Sequence, residues 1–250
     1  LADASGNGFT GTLTNGPAWT SDKFGSALQF NASDDRNDAN DPRVVLGRTI
    51  NIPNLPLTIS AWVNPTDYAD YRAIISKRDS PIASNMRLDV GLSQGGGGVY
   101  VYTGNSSSNS FSMAPPLNSW THLAVVADSS STRLYVNGVL RETIGVITLG
   151  TNTSANTVIG GTGEGAGGDN DPFKGKIDDL RIYNRALSQA EIQADMNTPV
   201  GGTPPAGEGR SSGHLGGGRW NRTTALVAHE PRQLHVVRRG YRLENPELPR

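Results

Sequence analysis

The chain has 250 residues, and its 22 Lys and Arg nearly balance its 23 Asp and Glu, so its net charge gives no indication of nucleic-acid binding. It contains no Cys, which excludes a disulfide scaffold, a thiolate zinc site and a cysteine nucleophile. With 35% hydrophobic residues, 31 Gly and 15 Pro, the composition suits short strands and tight turns. No apolar run approaches the roughly 18 residues of a membrane span, so we expect no membrane partner.

The charge is unevenly distributed along the chain. Residues 1–200 hold 14 basic and 19 acidic residues, whereas residues 201–250 hold 8 basic and 4 acidic ones. A Pro/Gly-rich stretch at 198–207 separates the two parts and is typical of a linker. We therefore predict a domain over residues 1–198, a linker over 199–219, and an Arg-rich tail over 220–250 without a function of its own.

Strand-like runs separated by turn residues dominate the predicted domain. They lie at 57–63, 86–92, 99–102, 120–127, 133–136, 157–159 and 176–183. Asn137-Gly138 is a strong hairpin signal, because both residues tolerate the positive φ of a type I′ turn. Ser188 and Glu191 form a capping box, which marks the start of one short C-terminal helix. The pattern predicts an all-β, antiparallel β-sandwich of jelly-roll type.

Several motifs occur in an order that resembles one known family. The opening Asp3-Ala4-Ser5-Gly6-Asn7-Gly8, the run Leu134-Tyr135-Val136-Asn137-Gly138 and the segment 175–188 are similar to laminin-G-like domains of the concanavalin A-like lectin/glucanase superfamily. The resemblance covers residues 1–197. It implies a non-catalytic module of a secreted or cell-surface bacterial protein, which binds a polysaccharide or packs against a neighbouring catalytic domain.

A metal site is the first chemistry that the sequence indicates. If the strand at 176–183 alternates regularly, Asp178 points to the core together with Leu180 and Ile182. A carboxylate in that position needs a cation or N–H donors. The resemblance implies a structural calcium ion held by Asp3 and Asp178 with backbone carbonyls. The alternative is that Asp178 caps a turn through backbone N–H groups.

A ligand-binding face is the second kind of site that the sequence indicates. Alternation places Arg87 and Asp89 on the outward side of one strand, and Tyr100 and Tyr102 on the outward side of another. Tyrosine rings that stack on sugars, beside polar groups that bind hydroxyls, would form a glycan platform. We include His122 in this predicted set. The alternative is that the tyrosines pair across strands under covering loops.

Catalysis is less well supported. A glycoside hydrolase on this fold would need paired acids. Residues 1–200 contain only three Glu, none of them in a Glu-x-Asp-x-x-Glu pattern. A polysaccharide lyase would need a Tyr, His and Arg cluster, which Tyr100, Tyr102, His122 and Arg87 could supply. A glycan-active enzyme and a protein-interaction or adhesion module therefore remain alternatives to the non-catalytic carbohydrate-binding module.

The tail contains two β-prone runs, at 223–228 and 234–237. The resemblance leads us to expect a further strand before Asp3, and its absence would leave a sheet edge unpaired. We therefore predict that one of the two runs pairs with the sheet near Asp3 or Asp178.

Overall fold

Two antiparallel sheets face each other in the computed structural model. The structure describes residues 9–21, 23–24, 26–33, 38, 40–48, 50–78, 86–104, 109–163, 171–199, 225–228 and 234–237. One sheet has six strands and the other has seven. The predicted antiparallel sandwich is confirmed.

The strands are short and agree closely with the predicted runs. Their bounds are β1 Thr12–Thr14, β2 Ala18–Ser21, β3 Ser26–Asn31, β4 Arg43–Gly47, β5 Leu57–Pro65, β6 Arg72–Arg78, β7 Met86–Leu92, β8 Val99–Thr103, β9 Thr121–Ala127, β10 Thr132–Val136, β11 Val139–Ile144, β12 Thr157–Ile159, β13 Lys174–Tyr183, β14 Ala225–Ala228 and β15 Leu234–Val237. The described residues contain one α-helix, α1, which spans Gln189–Met196. The strand order is β1-β4-β12-β6-β7-β8 in the six-stranded sheet and β11-β10-β9-β5-β13-β3-β2 in the seven-stranded sheet.

The core lies between the two sheets and consists of the alternate apolar residues of each strand. Ile59 and Val125 from the seven-stranded sheet, and Val90 and Val101 from the six-stranded sheet, belong to one buried cluster. Burying such side chains contributes roughly 1.5–3 kcal/mol each. Alternation therefore fixes which side chains lie outside this core, on the outer face of each sheet.

The hairpin and helix signals are both confirmed. Asn137 and Gly138 have φ values of 50° and 75°, and they connect β10 to β11. At α1, Ser188 accepts the Glu191 N–H and the Glu191 side chain returns a bond to the Ser188 N–H. The helix buries Ile192 against the outer face of the seven-stranded sheet.

The edge strand β8 is covered by the segment 109–113. Val99 and Val101 donate their N–H groups to the carbonyls of Met113 and Asn109. Glu142 of β11, in the other sheet, accepts the N–H groups of Ser112 and Met113, each at 2.8 Å. One carboxylate thus connects the edges of both sheets.

The tail strands do not join either sheet. β14 and β15 pair with each other, from Ala225 opposite Val237 to Ala228 opposite Leu234, so the predicted pairing with the sandwich is wrong. β14 lies close to β13 without joining its ladder. In the described part of the chain, no helix is long and apolar enough to cross a membrane.

Candidate functional site

Three tyrosines cluster on the outer face of the six-stranded sheet. The rings of Tyr100 and Tyr102 on β8 stack with centroids 4.4 Å apart and an interplanar angle of 26°. Tyr71, just before β6, meets Tyr100 edge-on at 5.8 Å and Tyr102 at 6.3 Å. Tyr100 is fully buried, whereas Tyr71 and Tyr102 are half-buried. The cluster therefore has a buried ring beneath two rings that reach solvent.

Gly91 makes room for the buried ring. It lies opposite Tyr100 in the β7–β8 ladder. A Cβ atom at Gly91 would lie 2.5 Å from the Tyr100 hydroxyl oxygen and 2.5 Å from the Arg72 carbonyl oxygen. Because glycine has no side chain there, the Tyr100 ring can cross β7 and reach Asp89.

A buried group of charges lies beneath the rings. Arg78 places Nε 3.2 Å from Asp89 Oδ2 and Nη2 2.6 Å from Asp171 Oδ2. The Tyr100 hydroxyl donates to Asp89 Oδ1 at 3.3 Å. Burial raises the pKa of Tyr100 well above its usual value, and the two carboxylates raise this pKa further. Tyr100 therefore stays protonated as a hydrogen-bond donor.

Arg87 and Asp89 were predicted on the outward side of their strand, but both side chains are buried. Asp89 is on the outer face as predicted, but its side chain is buried under the tyrosines. Arg87 lies at a bulge, because Lys77 pairs with Leu88 and Arg78 pairs with Met86. Its guanidinium donates to the carbonyls of Ile52 and Gly150 at 2.8–3.1 Å, so it holds loops instead of facing a ligand.

His122 does not join the tyrosines, because it belongs to the outer face of the other sheet. It pairs with Trp62 across β9 and β5, and the two rings meet at 5.4 Å. Burial, and then the charge of Arg181, lower the pKa of His122 to about 3. The Tyr, His and Arg constellation considered for a lyase is therefore not assembled from these residues.

Asp178 does not point to the core. It pairs with Trp62, whereas Ile177 before it and Leu180 after it both lie in the core cluster. A bulge with Asp179 at φ 45° inserts an extra residue and shifts the phase of β13. The Asp178 side chain is buried on the outer face, and its Oδ1 accepts the Asp179 N–H at 2.8 Å. This bond is of the kind that the capping alternative expects.

The described residues include no group of three His, Asp or Glu placed to hold a metal ion. Asp3, the other predicted ligand, lies outside the described residues. Asp179 beside Asp178 pairs with Arg181, with Nη2 and Oδ2 3.1 Å apart. The calcium site stays a prediction.

The structure adds Tyr71, Arg78 and Asp171 to the tyrosine site, which the sequence did not indicate. Arg78 is the last residue of β6 and lies at a bulge. Asp171 lies in a loop outside the predicted strands, and its carboxylate accepts a hydrogen bond from Arg78. Tyr71 precedes β6, where its N–H donates to Asp70.

A family model described as the concanavalin A-like lectin/glucanases superfamily, of laminin-G type, matches residues 38–193. The chain belongs to this superfamily. A comparison of the sequence with curated proteins finds no match.

Solved structures of this superfamily's sandwich architecture resemble the chain in fold. Domain 4 of AbnA, a GH43 extracellular arabinanase from Geobacillus stearothermophilus solved with arabinotriose, is 23% identical with a TM-score of 0.57, over 78% of this chain and 93% of that domain. The receptor-binding domain of botulinum neurotoxin type G is 16% identical with a TM-score of 0.57, over 78% of this chain and 48% of that one. The binding domain of botulinum neurotoxin DC, solved with SialylT, is 16% identical with a TM-score of 0.57, over 79% of this chain and 48% of that one. This chain spans about half the length of the toxin domains.

Proposed function

We propose that this chain is a non-catalytic carbohydrate-binding module that holds glycans on the outer face of its six-stranded sheet. The observation that carries the proposal is the tyrosine cluster, with Tyr71 and Tyr102 half-buried above the fully buried Tyr100. Aromatic faces bind the apolar C–H faces of sugar rings, and a rigid support lowers the entropy that binding costs. Tyr100 supplies that support because stacking and a hydrogen bond fix it in place.

The polar groups around the rings suit hydroxyl-rich ligands. The hydroxyl of Tyr102 lies near those of Tyr71 and Ser110, and burial raises the pKa of Tyr102 to about 12. Tyr102 therefore stays neutral and is able to donate and accept hydrogen bonds at the rim of the site. A sugar stacked on these rings would find partners for its hydroxyls at the same edge.

We propose further that the module serves a larger secreted or cell-surface protein, beside a catalytic domain. The fold neighbours support this setting, since one is a domain of an extracellular arabinanase and others are binding domains of toxins. A glycan-active enzyme and a protein-adhesion module are the alternatives, and the experiments below separate them.

We also propose a structural calcium ion beside Asp178. Support comes from the burial of this carboxylate and from the resemblance of the Asp3 motif. Calcium binds six to eight oxygens, so backbone carbonyls would complete the shell. The ion would stabilise the fold without touching the sugar, because Asp178 and the tyrosines lie on different sheets.

Binding to a panel of neutral and charged polysaccharides, measured by affinity electrophoresis and calorimetry, tests the glycan proposal. Tyr102→Ala should weaken binding by more than about 1 kcal/mol, or at least fivefold, since it removes one of the two rings that reach solvent. Tyr102→Phe is the matched control, because it keeps the ring and should keep most of the affinity. Unchanged melting temperatures would show that both variants fold.

Three outcomes would contradict the proposal. If Tyr102→Ala binds glycans as tightly as the wild type does, the binding site is not on this face. Release of reducing sugars or unsaturated products from any polymer would favour the enzyme. Binding to no glycan at all would leave the adhesion module as the surviving alternative.

A further inference from the structure

One polar side chain of the segment 109–113 lies beside the tyrosine rings. Ser110 is paired with Tyr100 in an isolated antiparallel bridge. Residues directly opposite each other in an antiparallel pair share one face of the sheet, so Ser110 faces outward together with Tyr100. Phe111, the next residue, lies in the core between the sheets, as alternation requires. Because Ser110 is exposed, its hydroxyl reaches solvent on the face that carries the rings.

The Ser110 hydroxyl also interacts with Tyr102. Burial and a hydrogen bond with Tyr71 raise the pKa of Tyr102 to about 12, and a hydrogen bond with Ser110 acts in the opposite direction. A serine hydroxyl has one donor and two acceptor sites, so this bond leaves capacity for a further partner. A hydroxyl beside aromatic rings suits a sugar, whose own hydroxyls also donate and accept.

Glu142 of β11, in the opposite sheet, holds the segment two residues beyond Ser110. Its carboxylate accepts the N–H groups of Ser112 and Met113, each at 2.8 Å, and the Ser112 hydroxyl at 3.0 Å. Hydrogen bonds to a charged acceptor are stronger than those between neutral groups. The direction in which the segment leaves Ser110 therefore depends on this one side chain.

Other contacts keep the segment on the sheet if Glu142 is lost. Val101 donates its N–H to the Asn109 carbonyl at 2.8 Å, and Phe111 is buried in the core. A change at Glu142 should therefore shift Ser110 without unfolding the segment. Displacements of about 1 Å are enough to weaken an oriented contact.

We propose that Ser110 contacts the bound sugar beside Tyr71 and Tyr102, and that Glu142 positions Ser110 for this contact. The inference rests on the proposed glycan-binding function and adds two residues to its site. Ser110 is a binding residue. Glu142 is a positioning residue, which acts through the segment 109–113 and not by touching the sugar.

Single substitutions in the full chain measure both effects. The probe is the polysaccharide of the panel that the wild type binds most tightly, and calorimetry gives the affinity. Ser110→Ala removes a hydrogen bond to the sugar and should weaken binding about threefold or more. Glu142→Gln should have an effect of similar size, about threefold, because an amide has one acceptor oxygen where the carboxylate has two.

Glu191→Gln is the matched control. Glu191 also accepts a serine N–H and a serine hydroxyl, both from Ser188 at 2.8 Å. It belongs to α1, which packs on the outer face of the other sheet. The substitution changes the net charge by the same amount as Glu142→Gln does, and it should leave the affinity unchanged.

A double-mutant cycle separates positioning from a general loss of stability. If Glu142 acts through Ser110, the double variant Ser110→Ala/Glu142→Gln should bind within about twofold of Ser110→Ala alone. Ser112→Ala, which removes one of the three bonds to Glu142, replaces Glu142→Gln in the cycle if that variant melts below the assay temperature.

Additive losses in the double variant would overturn the positioning role of Glu142, because the two residues would then act independently. Unchanged affinity in Ser110→Ala would overturn the contact, while the effect of Tyr102→Ala still decides the glycan-binding function. An equal loss in Glu191→Gln would also overturn the inference, because charge or stability alone would then be the cause. If the wild type binds no polysaccharide, the proposed function itself fails and the inference fails with it.

Discussion

On the six-stranded sheet, the outward aromatic rings of Tyr71 and Tyr102 keep part of their surface in solvent, whereas on the seven-stranded sheet the outward Trp62 and His122 are almost completely buried. Phe24 packs edge-on against Trp62, and Lys23 lies 4.7 Å from the centre of its ring. Similar residue types thus leave aromatic rings partly open to solvent on one face and form a second core on the other. The difference lies in what covers them.

Helix α1 covers a further part of this outer face, where Ile192 packs with Ala124 and Val126 of β9. Arg181 donates to the Asp195 carbonyl at 2.9 Å and pairs with the Asp195 carboxylate at 3.1 Å. The Tyr183 hydroxyl also donates to Asp195. No element of the described chain is fastened over Tyr71 and Tyr102 in this way. If the two faces have separate roles, changes on the helix-covered face should alter stability and leave glycan binding intact.

Replacement of Arg181 should have the largest effect on stability. Arg181→Met leaves Asp179 and Asp195 without their buried partner, so we expect the free energy of unfolding to fall by about 3–5 kcal/mol. Denaturant unfolding measures the change. Arg133→Met, at a pair that is about a quarter exposed, is the control and should cost less than about 1 kcal/mol. A fall of equal size in both variants would contradict the importance of burial here.

Acid should lower the free energy of unfolding through His122, which lies on the same face. Its folded pKa of about 3 lies below the usual value near 6.5, so the unfolded chain binds the proton first as pH falls. The free energy of unfolding should therefore be unaffected by His122 well above pH 6.5. Between the two pKa values it should fall by about 1.4 kcal/mol per pH unit, or about 3 kcal/mol from pH 7 to pH 4. Thermal melts of His122→Gln should show a shallower pH dependence than the wild type. Parallel curves would show that His122 is not the cause.

Removal of calcium by a chelator should have a somewhat smaller effect on the free energy of unfolding. If calcium binds beside Asp178 at 100 times its dissociation constant, it adds about 2.7 kcal/mol to the free energy of unfolding. EDTA should then lower the melting temperature of the wild type, and Asp178→Asn should remove the sensitivity to EDTA. Glycan binding by the folded protein should survive both treatments. If EDTA leaves the wild-type melting temperature unchanged, the proposal of a calcium ion on this face is wrong.

Much of the fold follows from local patterns in the sequence. The strand at Thr157–Ile159, the Asn137-Gly138 hairpin and the Ser188–Glu191 capping box depend on neighbouring residues alone, and all three are present as predicted. Alternation also places Tyr100 and Tyr102 on the correct side of β8. Short-range periodicity is a sufficient guide wherever a strand is regular.

The site was harder to predict because it depends on irregular positions and on distant segments. Bulges near Arg87 and Asp179 shift the phase that alternation assumes. Burial of Tyr100 requires Gly91 on the next strand, and the Arg78 guanidinium near it is paired with Asp171 from a remote loop. Since these are long-range contacts, no single-sequence pattern indicates them.

Strand β8 carries two of the three tyrosines and also forms the end of its sheet. Its outward N–H groups at Val99 and Val101 are already bonded to the segment 109–113, which Glu142 fastens to the opposite sheet. An exposed strand at this end would be a template for chain-to-chain growth into aggregates. The segment 109–113 blocks that growth at the strand that carries Tyr100 and Tyr102, so copies of this chain are kept from joining edge to edge through β8.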